Sequence, residues 1–194
     1  MKLNKGEWGE PYVALKLLGD GKLYMADENG ERKPDEWMEI VELVRHESTD
    51  RVVTYGRSLD SRYISISVNG SPAARLDSLE FLSASSKLLR DIRNGRGASF
   101  EVSDDVEQFF IQAQMQRPKA KSVDKSDLFL TIIDPRSSIT RKNTGFSIKS
   151  MMGHNPTLFN TAPASAVRYR LNNVTPADME EINSMVDDRP CCGW

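Results

Sequence analysis

The apolar residues near the N-terminus recur at helical spacing. Trp8, Tyr12 and the leucines after them lie three or four positions apart, and a Gly-Asp-Gly run follows at 19–21. Proline lacks an amide hydrogen and is tolerated in a first helical turn, so Pro11 favours a helix that begins near Glu10. The glycines predict where this helix ends.

Short apolar runs after this helix are typical of β-strands, because they are rich in β-branched and aromatic residues and several end at turn signals such as Asn-Gly. The predicted strands are Lys22–Met25, Ile40–Val44, Val52–Tyr55, Tyr63–Val68, Leu128–Ile133 and Gly145–Lys149. Nearer the C-terminus, the pattern predicts a strand at Arg168–Leu171 and a helix start at Thr175–Asp178.

Two more helices are predicted between the strands. Ser78–Arg93 has leucines, including Leu79 and Leu89, that are compatible with one buried face. Ser103 has the character of an N-cap for a helix that reaches about Gln116, before a proline. Three aromatic residues are assigned to core packing rather than base stacking: Trp8, Phe109 and Phe110.

The composition is that of an ordinary globular chain. With 194 residues, of which 39% are hydrophobic, the chain can bury a core without help from metals or disulfides. It has neither an N-terminal apolar signal segment nor an apolar run of about 18 residues, so we expect no secretion and no membrane association. The cytoplasm is the default compartment.

Charge is distributed unevenly along the chain. The formal net charge of −2 argues against a polyanion partner, yet residues 117–170 hold ten Lys and Arg against three acids, a net of +7. Such a polarised segment suits a surface that faces phosphate. A solvated loop with scattered basic residues would show the same bias, so both interpretations stay open.

The runs at 128–133 and 145–149 predict a β-hairpin with a long loop. If Asp127 lies opposite Lys149, then Phe129 lies opposite Ser147, because residues of one parity share a face. A carboxylate that holds a divalent cation beside an ammonium suits metal-assisted hydrolysis of a phosphodiester. The alternative is that Asp127 only begins a strand at the solvent edge and Lys149 extends from its end.

Several stretches resemble the HpaII-type family of Type II restriction endonucleases. They are Lys-Ser-Asp at 125–127, Gly-Phe-Ser-Ile-Lys-Ser-Met-Met-Gly at 145–153 and Pro-Thr-Leu-Phe-Asn-Thr at 156–161. Asn-Lys-Gly-Glu-Trp-Gly-Glu at 4–10 and Asp-Gly-Lys-Leu-Tyr at 20–24 are similar to the opening of that family.

The resemblance implies a PD-(D/E)XK-like nuclease of the α/β (α+β) class, with a mixed β-sheet flanked by helices. It also implies Mg2+-dependent cleavage of double-stranded DNA at CCGG within a restriction-modification system. Members of that family are longer than this chain. We therefore expect residues 1–186 to form the N-terminal nuclease domain of such an enzyme, followed by a tail at 187–194.

Carried over by residue, the resemblance makes Asp127 a metal-ligating acid and Lys149 the catalytic lysine. Ser147 occupies the position where the wider superfamily has Asp or Glu, which removes one metal-ligand carboxylate. Glu10 is the candidate that would replace this metal ligand, because Lys5-Gly6-x-x-x-Glu10 resembles the start of archaeal Holliday-junction resolvases, relatives in which that glutamate reaches the metal. Glu7 is the second candidate. The alternative is that Glu10 binds no metal and is a first-turn acid whose negative charge only favours the helix dipole.

Basic and amide side chains near this block are candidates for DNA contact, since such groups bind phosphates and base edges. They are Lys125, Arg141, Lys142, Asn160, Arg168 and Arg170. For Arg168 and Arg170, contact with phosphate is favoured over readout of bases. A homodimer is one possible oligomeric state. A cognate DNA methyltransferase is expected in the same restriction-modification system, without direct contact with this chain.

Two other functions remain open at this point. One is a catalytically inactive or truncated DNA-binding or interaction domain with a nuclease fold. The other is a repair or junction nuclease, which differs in substrate rather than in chemistry.

Overall fold

Helix α1 runs over Lys5–Asp20 in the computed structural model, which describes residues 1–58, 62–116, 126–149, 175–178 and 180. The prediction that it begins near Glu10 is wrong. Asn4 caps the helix by accepting the amide hydrogen of Glu7 at 2.9 Å, and the Glu7 carboxylate accepts the Asn4 amide at 3.1 Å. This reciprocal pair satisfies amides that a helix start leaves open, so Pro11 lies inside the helix and is buried.

The C-terminus of α1 is closed by a glycine in the left-handed region. Gly21 has φ 67° and donates its amide hydrogen to the Leu17 carbonyl at 2.8 Å. The Arg57 guanidinium donates to the next carbonyl, that of Leu18, at 2.7 Å. A side chain at position 21 would strain the backbone and collide with this guanidinium, which explains the glycine signal in the sequence.

Seven antiparallel strands form the sheet in the part of the chain that the structure describes. They are β1 Lys22–Ala26, β2 Arg32–Ser48, β3 Arg51–Arg57, β4 Tyr63–Val68, β5 Ser71–Asp77, β6 Leu128–Ile133 and β7 Thr140–Phe146. Their order is β5-β4-β3-β2-β6-β7, with β1 paired to β2 outside this path. The α+β class with helices against a sheet is confirmed, and every pair between the described strands is antiparallel.

Strand β2 organises the sheet because three strands pair with it. Its residues 42–44 pair with β3 on one edge and with β6 on the other. Glu39 pairs with both Lys22 of β1 and Ile133 of β6, so β1 and β3 follow one another along the same edge. Basic side chains lie over aromatic rings where β1 meets β2, with the Lys22 Nζ 3.9 Å from the Trp37 ring centroid.

Two further helices follow the first five strands. Helix α2 spans Ser78–Asn94 and is capped by Asp77, and α3 spans Asp104–Gln112. The predicted burial of Leu79 is wrong, since 60% of that residue is exposed. Helix α3 ends earlier than predicted, because Gln114 adopts a positive φ of 58°.

The core lies between the helices and one face of the sheet. Every second residue of β6 is buried there, as are Leu43 of β2 and Tyr55 of β3. Trp8 of α1 is 1% exposed, stacks on Phe110 at a centroid distance of 6.2 Å and donates its indole hydrogen to the Phe100 carbonyl. Core packing of Trp8, Phe109 and Phe110 is confirmed.

The chain separates into two compact units, Met1–His154 and Asn155–Trp194. In the second unit, the Thr175 amide and hydroxyl donate to the Asp178 carboxylate at 2.8 and 2.7 Å, and residues 176–178 are helical. The predicted helix start is confirmed. The predicted strand at 168–171 lies outside the described residues, and the boundary at residue 186 stays a prediction.

Candidate active site

The hairpin that carries the candidate residues is formed by β6 and β7, but its register differs from the prediction. Phe129 pairs with Gly145 and Leu128 with Phe146, so Lys149 is not opposite Asp127. The predicted strand at 145–149 is wrong as well, since β7 begins at residue 140 and ends at 146. The loop is short and closed by the Asp134 amide, which donates to the Ile139 carbonyl at 3.0 Å.

The pairing of β6 with β7 contains one irregularity, a shift by one residue. The pairing shifts between Leu130 and Ile132, and Asn143 on the facing strand has a positive φ of 48°. These features mark a β-bulge, which places an extra residue in one strand. At the Asp127 end the observed register differs from the predicted one by two residues, an even number, so odd-numbered residues of the two strands still share a face.

Asp127 is half-buried and lies immediately before β6. Its amide donates to the Phe146 carbonyl at 2.9 Å, and its Oδ2 accepts the amide hydrogen of Ile148 at 2.6 Å. No hydrogen bond to Oδ1 is found among the residues that the structure describes. One carboxylate oxygen therefore fixes the side chain, while the other is left for a ligand.

Lys149 and Ser147 lie just after the end of β7. Both are exposed, and Lys149 directly follows the residue whose amide binds Asp127. Within the described part of the chain, Lys149 has no ion-pair partner. The hydrogen bond between Asp127 and Ile148 thus brings the predicted acid and the predicted lysine to one end of the hairpin.

The two glutamates proposed as extra metal ligands lie on α1, and neither is joined to Asp127. Glu7 holds the helix cap, which gives the second candidate a structural role. Glu10 is half-buried in the second turn, and the described hydrogen bonds of Asp127 do not reach it. No cluster of three His, Cys, Asp or Glu side chains that could hold a metal occurs in the described ranges.

The donor set at Asp127 nevertheless fits Mg2+. This cation prefers oxygen, keeps several waters and is often held by only one or two carboxylates together with substrate phosphates. The Oδ1 of Asp127 is such an oxygen, and it lies at a half-buried position on a carboxylate that is bound by the residue before the exposed Lys149.

The candidate DNA-contacting residues divide into two groups. Arg141 and Lys142 are exposed on β7 and have no acidic partner among the described residues. Arg136, another cation of the basic segment, is bound by Glu36 at 3.5 Å and Asp134 at 3.4 Å. The remaining candidates lie outside the described residues: Lys125, Asn160, Arg168 and Arg170.

The contacts of Arg136 change the electrostatics of the hairpin loop. Its backbone amide and guanidinium both donate to Asp134, and they lower the pKa of that carboxyl below its ordinary value. Arg136 is therefore occupied by acids of the protein. The free positive charge of the described hairpin lies instead on Arg141, Lys142 and Lys149.

Sequence reasoning missed the group that anchors Asp127. It is the backbone amide of Ile148, and a backbone donor leaves no residue-type signal in a sequence. The positive φ at Asn143 could have been suspected from the sequence, though only weakly, because asparagine is enriched in left-handed conformations.

Comparison with known proteins shows the family of this chain. The family described as HpaII restriction endonuclease matches residues 4–189, and the chain belongs to that family. The chain is 31% identical over 194 aligned residues to the Type II restriction enzyme HpaII of Haemophilus parainfluenzae. The match covers 94% of this chain and 50% of that enzyme.

The chain thus spans about half the length of the curated relative it matches. No solved structure matches the chain significantly. Among the described residues, no helix is long and apolar enough to cross a membrane.

Proposed function

We propose that this chain is a Mg2+-dependent endonuclease of restriction type that hydrolyses phosphodiester bonds of double-stranded DNA at CCGG. The observation that carries the proposal is the 2.6 Å hydrogen bond from the Ile148 amide to Asp127 Oδ2. It fixes a carboxylate to the residue that directly precedes Lys149, in a chain that belongs to a restriction endonuclease family.

Asp127 is proposed to hold the cation through Oδ1. Because Oδ2 is bound by a rigid backbone donor, the carboxylate is oriented before any ligand arrives, which lowers the cost of binding. When bound, Mg2+ supplies stabilisation of negative charge on the phosphate and lowers the pKa of a water. Ser147 is proposed to contribute a neutral oxygen where the wider superfamily has a carboxylate.

Lys149 is proposed to position the attacking water as an ammonium, or to deprotonate it as the neutral amine, which then becomes the ammonium. In hydrolysis the water oxygen forms a bond to phosphorus, the bond to the leaving oxygen breaks, and a proton returns to that oxygen. An exposed ammonium with no acidic partner in the described chain is free to approach the phosphate from the hairpin end.

Arg141 and Lys142 are proposed to bind the DNA backbone from β7. Lys125, Asn160, Arg168 and Arg170 are proposed to contact DNA as well, and Glu10 stays the proposed second carboxylate. A homodimer, a cognate methyltransferase in the same system and a cytoplasmic location belong to the same proposal.

The first prediction concerns cleavage. Plasmid with CCGG sites is incubated with purified protein and Mg2+, and nicked and linear products are counted by gel. Asp127→Asn removes the charged ligand and Lys149→Met removes the ammonium, so each variant is expected to cut about 10²–10⁴-fold more slowly. Asp35→Asn and Lys2→Met change an exposed acid and an exposed lysine outside the site and are expected to cut like the original chain.

Equal cleavage by Asp127→Asn would overturn the proposed mechanism, as would cleavage with chelator present. A plasmid whose CCGG sites are methylated tests the sequence, since cutting it equally well excludes restriction of unmodified CCGG. A four-way DNA junction in the same assay separates a junction nuclease from a restriction enzyme by its substrate preference.

A non-catalytic DNA-binding domain is the second candidate. It is favoured by the finding that Asp127 is not part of a cluster of acidic or histidine ligands among the described residues. Salt-dependent DNA binding without cleavage, unchanged by Asp127→Asn, is the result that would support it over the nuclease.

A further inference from the structure

Gly145 and Ser126 face one another across the hairpin directly beside Asp127. Gly145 lies on β7 opposite Phe129, and the Ser126 Oγ occupies the place where a side chain at position 145 would begin. The Ser126 Cβ lies 3.0 Å and the Phe129 Cε1 3.3 Å from that same point. The chain before β6 therefore closes over β7 only because residue 145 has no side chain.

This close approach is coupled to the orientation of Asp127. Ser126 is its immediate neighbour, and the Asp127 amide and Oδ2 bind β7 and the residue two positions beyond its end. Three successive contacts with residues 145–148 thus hold the segment 126–127 in place. A displacement of Ser126 by a few tenths of an ångström or more must move the carboxylate or break its bond to Ile148.

We propose that Gly145 is a positioning residue for the Asp127 carboxylate and that Ser126 transmits its effect. The inference rests on the proposed function for its importance to cleavage. The effect of Gly145 on the hydrogen bond between Asp127 and Ile148 is a separate, structural claim, and this effect can be measured without DNA or metal.

The structural test follows the Ile148 amide by NMR hydrogen exchange in the full chain. Gly145→Ala is expected to speed this exchange about tenfold, the effect of losing one hydrogen bond, while amides of the core strands β3 and β4 keep their rates. Gly145→Ala combined with Ser126→Gly removes the two Ser126 atoms that collide, leaving the Phe129 ring edge at 3.3 Å, and is expected to return the rate to within about threefold of the original.

Gly56→Ala is the matched control. Gly56 also lies in the sheet, on β3, but the nearest atom to a Cβ there is a backbone oxygen 3.9 Å away, so a methyl group fits. Ser126→Leu approaches the same crowded point from the segment before β6 and is expected to behave like Gly145→Ala, which keeps the test decisive if one variant unfolds. An Ile148 amide that exchanges at the original rate in both variants would overturn the proposal.

Cleavage supplies the second readout. Gly145→Ala is expected to lower kcat about 10²-fold with KM for DNA nearly unchanged, because misplacement of a catalytic group by about 1 Å has that effect, and Ser126→Gly is expected to restore kcat. If Asp127→Asn cuts normally, the proposed function fails while the exchange result for Gly145 still stands. If Asp127→Asn is inactive and Gly145→Ala cuts normally, only the positioning role is overturned.

Discussion

The packed centre of the sheet and the open end of the β6–β7 hairpin are held in different ways. Around Tyr55, each side chain has several buried neighbours: Phe81 meets Tyr55 and Phe109 edge-on, at centroid distances of 6.3 and 5.1 Å. At the hairpin end, Asp127 is oriented by one hydrogen bond to its carboxylate. The centre is stabilised by many contacts, and the site by few.

Charged groups show the same contrast. Glu47 is fully buried on β2, and Arg51 binds it at 3.0 Å while also donating to the Gln114 carbonyl. Lys149 at the hairpin end is exposed and has no ion-pair partner among the described residues. Buried charges must be satisfied for the fold to form, whereas charges that act on a substrate must stay available.

The largest expected effect on stability is at the centre. Phe81→Ala removes a fully buried ring between two others, so we expect a loss of about 3–5 kcal/mol in the free energy of unfolding, measured by urea denaturation. Leu79→Ala on the same helix is the control, because this exposed side chain is expected to change stability by less than about 0.5 kcal/mol. Similar losses for both would contradict the assignment of the buried face of α2.

A smaller effect is expected at Tyr55. Its hydroxyl donates to the Ala113 carbonyl at 3.0 Å, so Tyr55→Phe leaves a buried acceptor unsatisfied and is expected to cost about 1–3 kcal/mol. Burial raises the pKa of Tyr55 well above its ordinary value of 10. The folded chain therefore resists ionisation that the unfolded chain undergoes, and this stabilisation is complete below pH 10 and is lost as pH rises above 10.

Urea denaturation between pH 9 and 11 tests whether the free energy of unfolding falls as the pH rises above 10. The original chain is expected to lose stability more steeply above pH 10 than Tyr55→Phe, because the variant has no hydroxyl to ionise at that position. Parallel pH profiles of the two proteins would show that the phenol is not protected by burial.

The smallest effect is expected at the hairpin surface. Neutralising Arg141 and Lys142 together by glutamine is expected to reduce the slope of log Kd for DNA against log salt by about 1.8, since each phosphate contact contributes about 0.9. Fluorescence anisotropy at several salt concentrations measures this slope. Lys2→Gln with Arg96→Gln removes one exposed lysine and one exposed arginine elsewhere, and an equal change in that control would exclude a specific role for β7.

Much of the fold could be predicted where side chains are apolar. Strands β4 and β6 have the predicted bounds, because their buried residues alternate with others along the strand. Strand β5 was missed and β2 was predicted too short, since β5 buries only Asp77 and the first residues of β2, 32–36, are mostly exposed. Their pairing depends on neighbouring strands rather than on burial of their own side chains.

The sequence predicts which residues form the candidate site, and their roles stay predictions; it does not predict their geometry. The acid and the lysine were found from a family resemblance, and the structure places them at one end of the hairpin. Their register depends on a bulge near Asn143, and a bulge is set by backbone conformation that the residue pattern specifies only weakly. The outer candidates at 160–170 lie outside the described residues.

The pairing of β2 with strands far apart in the sequence also has a consequence during synthesis. One edge of β2 is paired with β1 and β3, its neighbours in the chain, but the opposite edge is completed by β6, about 80 residues later. At a synthesis rate of roughly 5–20 residues per second, that edge stays open for on the order of 4–16 s on the ribosome. An unpaired edge can pair with another chain, so the nascent protein is most prone to aggregate before the hairpin that carries the candidate site has been made.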